Sequence, residues 1–354
     1  MNFLEIRPYL MTKSLVPENQ ESPIHFLLNQ KIFPLRYFYR RNHFPYPSLL
    51  PDLYYLTIGG LVQHPSYFHL EQLKSMPSKA FIIPLECAGN QRNKFTPKVF
   101  GEQWKDGAMS QAEWKGVPLK DLLLKAGLQN DAKEVVFIGA DCGMRTDMVG
   151  VFYYARSLPL EKALHPDTMI AYECNGQPIP FKHGYPLRLI VPGWYAMASV
   201  KWLQQIIVMD QPFTGPFQAV DYVYYPHKNS DADKKPVTTI NVNSLIQFPL
   251  DFSIHNTGTI VIEGIAWTGN GVITHVEISV DNGETWKEAK LAPQQDGPYA
   301  WTPWSFVWEV YEKGEYTILA KATDSSGQTQ PFAAMWNRKG YGYNAVQKVH
   351  VKIE

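Results

Sequence analysis

The chain of 354 residues has no close pair of cysteines: Cys87, Cys142 and Cys174 lie far apart. That spacing excludes a disulfide framework and a zinc ribbon, and it fits a reducing compartment, so the cytoplasm is the expected location. Excess charge is also missing. Thirty-three Lys and Arg balance 33 Asp and Glu, which argues against nucleic acid or an anionic membrane surface as the main partner. No apolar run approaches the roughly 20 residues a membrane span needs, and Met1–Gln30, with Glu5, Glu18 and Glu21, lacks the pattern of a secretory signal. The elbow GxSxG, the phosphate loop GxxxxGK[ST] and the HExxH helix are absent. So is any His/Cys/carboxylate cluster with metal-ligand spacing.

What is present is long enough for two domains, and aromatics at 14% promise large buried side chains. Residues 1–30 read as an irregular N-terminal arm. In 31–235 strands and short helices mix without regular alternation: strands at Tyr54–Ile58, Phe81–Leu85, Val135–Ile138, Leu187–Val191 and Ile206–Val208, and helices at Leu119–Leu128 and Leu158–Leu164. This is an α+β pattern rather than a doubly wound sheet. The polar, breaker-rich run His227–Pro236 reads as a linker. Beyond it, 236–354 shows short strands at Thr259–Trp267, Thr274–Val280, Tyr316–Ala322 and Val346–Ile353, with an Asp281-Asn282-Gly283 turn. Such spacing without helices predicts an immunoglobulin-like β-sandwich.

The chemistry concentrates around Cys87. The apolar strand before it ends in Ala88-Gly89-Asn90, a turn of small residues, and Arg92 follows. A thiol at such a strand end can face a pocket, and a neighbouring cation favours the thiolate that binds metal. Four further segments offer donors or acceptors: Tyr39-Arg40-Arg41-Asn42-His43; Asp141 after a strand; His183 to Arg188 with Ser199-Val200-Lys201; and Asp221-Tyr222. Singly each has an ordinary explanation as an exposed basic loop, a turn aspartate, a structural histidine or a packed tyrosine. Together, one soft sulfur and many anion-binding groups suit a phosphate-bearing organic cofactor that brings its own metal ligands.

These segments, with Ala171–Pro178, Ser279–Trp286 and Trp336-Asn337, resemble the sulfite oxidase family of molybdenum-cofactor oxidoreductases. The resemblance implies a sulfite-oxidase-type molybdopterin domain followed by a dimerisation domain, and hence a homodimer. It implies molybdenum and molybdopterin, with Cys87 as the metal ligand. Tyr39, Arg40, Arg41, Asn42, His43, Asp141, His183, Arg188, Ser199, Val200 and Lys201 would hold the cofactor. Arg41, Arg92, Trp104, Tyr222 and Lys339 would face a small oxyanion. The implied reaction is oxidation of sulfite by oxygen-atom transfer, with electrons leaving to a separate acceptor. The sequence departs from the sulfite-oxidising pattern after Tyr222, where Val223-Tyr224-Tyr225 replaces a lysine-bearing continuation, and at Gln91 and Lys339, which stand where that pattern has arginines. These last two keep open another oxyanion or oxide, such as nitrate or a sulfoxide. A non-enzymatic binding protein is the remaining alternative.

Overall fold

The computed structural model describes residues 9–27, 30–50 and 53–354, so residues 1–8 and 28–29 of the expected arm lie outside it. The rest of that arm is more regular than its composition suggests. Met11–Leu15 and Glu18–Glu21 pair as an antiparallel hairpin, and Asn19 and Glu21 are buried against the body of the protein.

Two sheets build the first part. One joins Lys79–Glu86, Met109–Pro118, Met169–Cys174 and Gln177–Pro178, all antiparallel, with Arg188–Ile190 also on Met169–Cys174. The other runs Ser66–His69, Tyr55–Gly60, Leu203–Met209, Glu134–Met144, Val151–Pro159, with one parallel pair between Tyr55–Gly60 and Leu203–Met209. The helix Leu119–Ala126 buries Leu119, Leu122, Leu123 and Ala126, and Gly127 ends it at φ 71°, a conformation that favours glycine. Sheet dominates this part, and helices are few and short.

Two sequence expectations need correction. The strand at 135–138 continues to Met144, so Asp141 lies within it, beside a break in register between Ile138 and Cys142. A bulge of this kind re-aims side chains, and no apolar alternation announces it. The helix expected from Leu158 shrinks to Leu160–Ala163, because pairing with Val135 draws Leu158 into a strand.

The C-terminal part stacks two sheets. Asn243–Phe248, Gly258–Trp267, Thr302–Val310 and Lys290–Leu291 form one. Ser253–His255, Gln347–Ile353, Gly314–Asp324, Ile273–Ser279 and Lys287–Glu288 form the other. Ile262, Val276, Ile278, Ile318 and Val351 fill the space between them. The connection 227–236 is exposed throughout. The hydrophobic core does not stop there: Leu245, Ile265, Trp267, Trp301 and Tyr341 belong to the core of the first part.

Candidate active site

Cys87 follows the strand Lys79–Glu86 and is 6% exposed. Its N–H donates to the Ala108 carbonyl at 2.9 Å, and its own carbonyl accepts from Asn90 N–H at 2.8 Å, which closes the turn. The left-handed residue of that turn is Gln91, at φ 60°. Gly89 is needed for a different reason. A Cβ there would stand 2.5 Å from the Arg92 guanidinium. The Gly89 N–H points at Cys87 Sγ, 3.4 Å away. Burial pushes the thiol pKa up, and Arg41 and Arg92 offset this only in part. The expectation that a neighbouring cation sets the thiolate is therefore corrected, because desolvation outweighs it; a bound metal displaces the proton directly.

Beside Cys87 opens a cavity lined by Tyr39, Arg40, Arg41, Asn42, His43, Asp141, His183, Arg188, Ser199, Lys201 and Tyr222. Segments scattered from position 39 to 222 are thus brought together by the two sheets. Arg41 donates to the Asn42 carbonyl and lies 3.3 Å from the His43 ring. Lys201 Nζ donates to the Arg41 carbonyl at 3.0 Å and to the Asn42 side chain. Arg188 donates to the carbonyls of Ser199, at 3.2 Å, and His183, at 3.1 Å. Tyr222 meets His43 Nε2 at 2.7 Å. Burial, aided by surrounding cations, holds both His43 and His183 well below the usual histidine range, so both rings are neutral at pH 7.

Charge is unevenly distributed. Glu18, from the N-terminal hairpin, pairs with Arg40 at 2.8 Å and Lys182 at 3.0 Å. Arg41, Arg188 and Lys201 face the interior, where Asp141 is the one lining carboxylate among the described residues. Burial pushes Asp141 up to about 6 against the pull of Lys201, and burial pushes Lys201 down to about 7 against Asp141. Asp141 Oδ1 is buried without a partner. Buried cations without counter-charge are costly, so this cavity is built for an anion. The unpartnered carboxylate oxygen suits the N–H groups of an amino-bearing heterocycle, and Cys87 offers one sulfur. A phosphate-bearing pterin with a thiolate-held metal fits that donor set.

Four residues expected at the site do not line the cavity. Arg92 spends its guanidinium on carbonyls: Nε donates to Lys339 at 3.0 Å and Gly340 at 3.2 Å, and Nη1 to Glu102 at 3.0 Å. Trp104 is fully buried in the cluster that includes Tyr39 and Cys87. Val200 sits in the core and accepts from Leu189 N–H. Lys339 turns to Asp221, 3.7 Å away. Conversely Phe38, Tyr154, Lys182, Ala196 and Met197 line the cavity and were not anticipated. Nothing in the sequence marks Tyr154, which follows Phe152 and Tyr153 in one strand.

Comparison with known proteins gives independent information. Family models match two regions: an oxidoreductase molybdopterin binding domain over 43–217, and a molybdenum-cofactor oxidoreductase dimerisation domain over 234–354. Mitochondrial sulfite oxidase of Rattus norvegicus is 35% identical over 98% of this chain, which spans 66% of that relative's length. Nitrate reductase [NADH] 2 of Phaseolus vulgaris is 31% identical over 95% of this chain and 41% of its own. The crystal structure of the sulfane dehydrogenase SoxCD from Paracoccus pantotrophus aligns with a TM-score of 0.83 at 29% identity, covering 99% of this chain and 87% of that one.

Proposed function

The chain belongs to the sulfite oxidase family of molybdopterin oxidoreductases, and from that premise we propose that it oxidises sulfite to sulfate. The balance is sulfite plus water to sulfate, two protons and two electrons. The electrons pass to a separate acceptor. One observation carries this reading: Cys87, Arg41, His43 and Tyr222 converge on one cavity with an excess of cations. Molybdopterin, when bound, supplies the oxygen-atom transfer and stores the two electrons. Cys87 would hold its metal; Arg188, Lys201, Ser199 and His183 would hold its anionic end; Asp141 would accept from its heterocycle. Arg41 supplies charge for the sulfite oxygens. Burial holds Tyr222 well above the usual tyrosine range, so its hydroxyl keeps its proton and donates a hydrogen bond. Neutral His43 takes no charge from the oxyanion. The test is elemental analysis with a sulfite titration of the metal's absorption bands. Stoichiometric molybdenum and bands that bleach with sulfite are expected; molybdenum without any spectral response would refute sulfite as substrate.

A second reading is favoured by two side chains. Gln91 is uncharged, donating to Asp106 at 2.8 Å and accepting from Asn243 at 3.3 Å, and Lys339 is drawn to Asp221. A site with fewer fixed guanidinium forks suits a less highly charged oxyanion such as nitrate, run as a reduction. Sulfite-dependent dye reduction against nitrate-dependent dye oxidation separates the two readings.

We read the stacked C-terminal sheets as immunoglobulin-like and as a homodimer interface, which light scattering tests against the 40.5 kDa chain. We also propose a cytoplasmic location, a reading that the three unpaired thiols support. No described helix is long and apolar enough to cross a membrane.

A further inference from the structure

Two arginines with no place in the cavity come from one hairpin, Glu134–Met144 with Val151–Pro159, and both reach the segment that carries Tyr222. Arg145, just past the first strand, forks onto Asp221: Nη1 lies 2.5 Å from Oδ2 and Nη2 3.2 Å from Oδ1. The same guanidinium holds Asp147 at 3.0 and 2.7 Å and covers the Phe217 ring at 5.0 Å. Arg156, 1% exposed, donates to the Phe217 carbonyl and lies 5.3 Å from the Tyr222 ring centroid. Its Nε and Nη2 are buried with no partner. Such a cation costs stability wherever nothing compensates it; here the face of an aromatic ring is what it meets.

Between the two contact points lies Phe217–Asp221, a single wide π-type turn. Turns of this kind are rare, and where they occur they frequently mark functional sites. Residue 217 is held through its carbonyl, residue 221 through its carboxylate, and residue 222 through its ring. The hairpin that holds them also carries Asp141 and Tyr154 to the cavity. We propose that Arg145 and Arg156 are positioning residues, which together fix the Phe217–Asp221 turn so that the Tyr222 hydroxyl meets His43 at the oxyanion end of the site. The assignment rests on the reading of Tyr222 as an oxyanion donor. Neither arginine touches the substrate. Lys339 already pairs with Asp221 at 3.7 Å, so removal of Arg145 leaves that carboxylate to the lysine, and the turn then shifts.

The test places 3-fluorotyrosine at position 222 of the full-length protein and records its fluorine resonance in the parent, Arg145→Met, Asp221→Asn, their double variant and Arg156→Met. One sharp line is expected in the parent. It moves or broadens in each single variant, and the Arg145/Asp221 double variant moves it no further than either alone, because both remove one contact. Additive shifts, or a line unmoved by both arginine substitutions, overturn the proposal. In turnover, Arg145→Met raises KM for sulfite about tenfold and leaves kcat within about twofold, the mark of misplaced binding rather than lost chemistry; a fall in kcat at constant KM overturns it. If the parent does not oxidise sulfite at all, the function fails but the fluorine line still decides the clamp. If Arg156→Met does not fold, the Arg145 and Asp221 set decides it alone.

Discussion

Arg41 and Cys87, which the proposed function charges with the chemistry, have little share in the fold. Arg41 sits in an irregular loop, and its guanidinium bonds its neighbours Asn42 and His43 within the cavity wall. Arg41→Gln therefore raises KM for the oxyanion by about 10- to 100-fold, the worth of one charged hydrogen bond, and leaves the melting temperature within a few degrees; steady-state kinetics beside calorimetry check both. Cys87→Ser is expected to reduce turnover to background with an unchanged circular dichroism spectrum, read against molybdenum content per chain; turnover near the parent value would refute the ligand role. That Cys87 lines the cavity could be read from the sequence because an apolar strand and a small-residue turn are adjacent. The direction of Arg92 could not. The left-handed Gln91 swings it onto the carbonyls of Lys339 and Gly340, 247 and 248 residues away, and no local pattern encodes a partner at that distance.

Most helices and strands with a clear apolar period were legible; what pairing decided was where some of them end, as at Met144 and Leu158. The helix Leu119–Ala126 follows from its apolar spacing, so Leu122→Ala should cost about 2–5 kcal/mol in urea unfolding, whereas Leu124→Ala, 56% exposed, should cost little. Asp106 shows what such patterns miss. It ties the cysteine loop together, accepting from Lys94 at 2.5 Å and Gln91 at 2.8 Å, with His25 at 3.6 Å. Burial alone would raise its pKa, but Lys94 and His25 outweigh it and hold the carboxyl well below the usual range. A depressed carboxylate stabilises above its unfolded pKa of about 3.9, and that gain is lost as pH falls through the folded value. Asp106→Asn should cost about 1–3 kcal/mol at pH 7. The gap between variant and parent should narrow as pH drops below about 4, which melting curves across pH can follow. A gap that stays constant with pH would deny Asp106 this role.

Across the whole molecule, the seam between the two parts includes a buried polar contact beside the shared hydrophobic core. Trp267, from the C-terminal sheets, donates its indole N–H to Glu86 at 2.8 Å, one residue before Cys87. Trp267→Phe leaves that carboxyl with Asn90 alone and should cost about 1–3 kcal/mol, measured by urea unfolding. A loss confined to a C-terminal transition, with the first part unmoved, would show that the parts are not coupled through this bond. The sequence by itself determined the change of composition near 235, the strands that follow it, and the sulfur and cations that an anionic cofactor needs, because composition and short-range spacing carry all three. Only the tertiary structure decided which of those groups face one cavity. Glu18 folds back to neutralise Arg40 and Lys182, Arg92 and Lys339 are taken up elsewhere, and Tyr154 enters unannounced. The direction of a side chain is set by partners far along the chain, and a linear text holds the partners without their meeting.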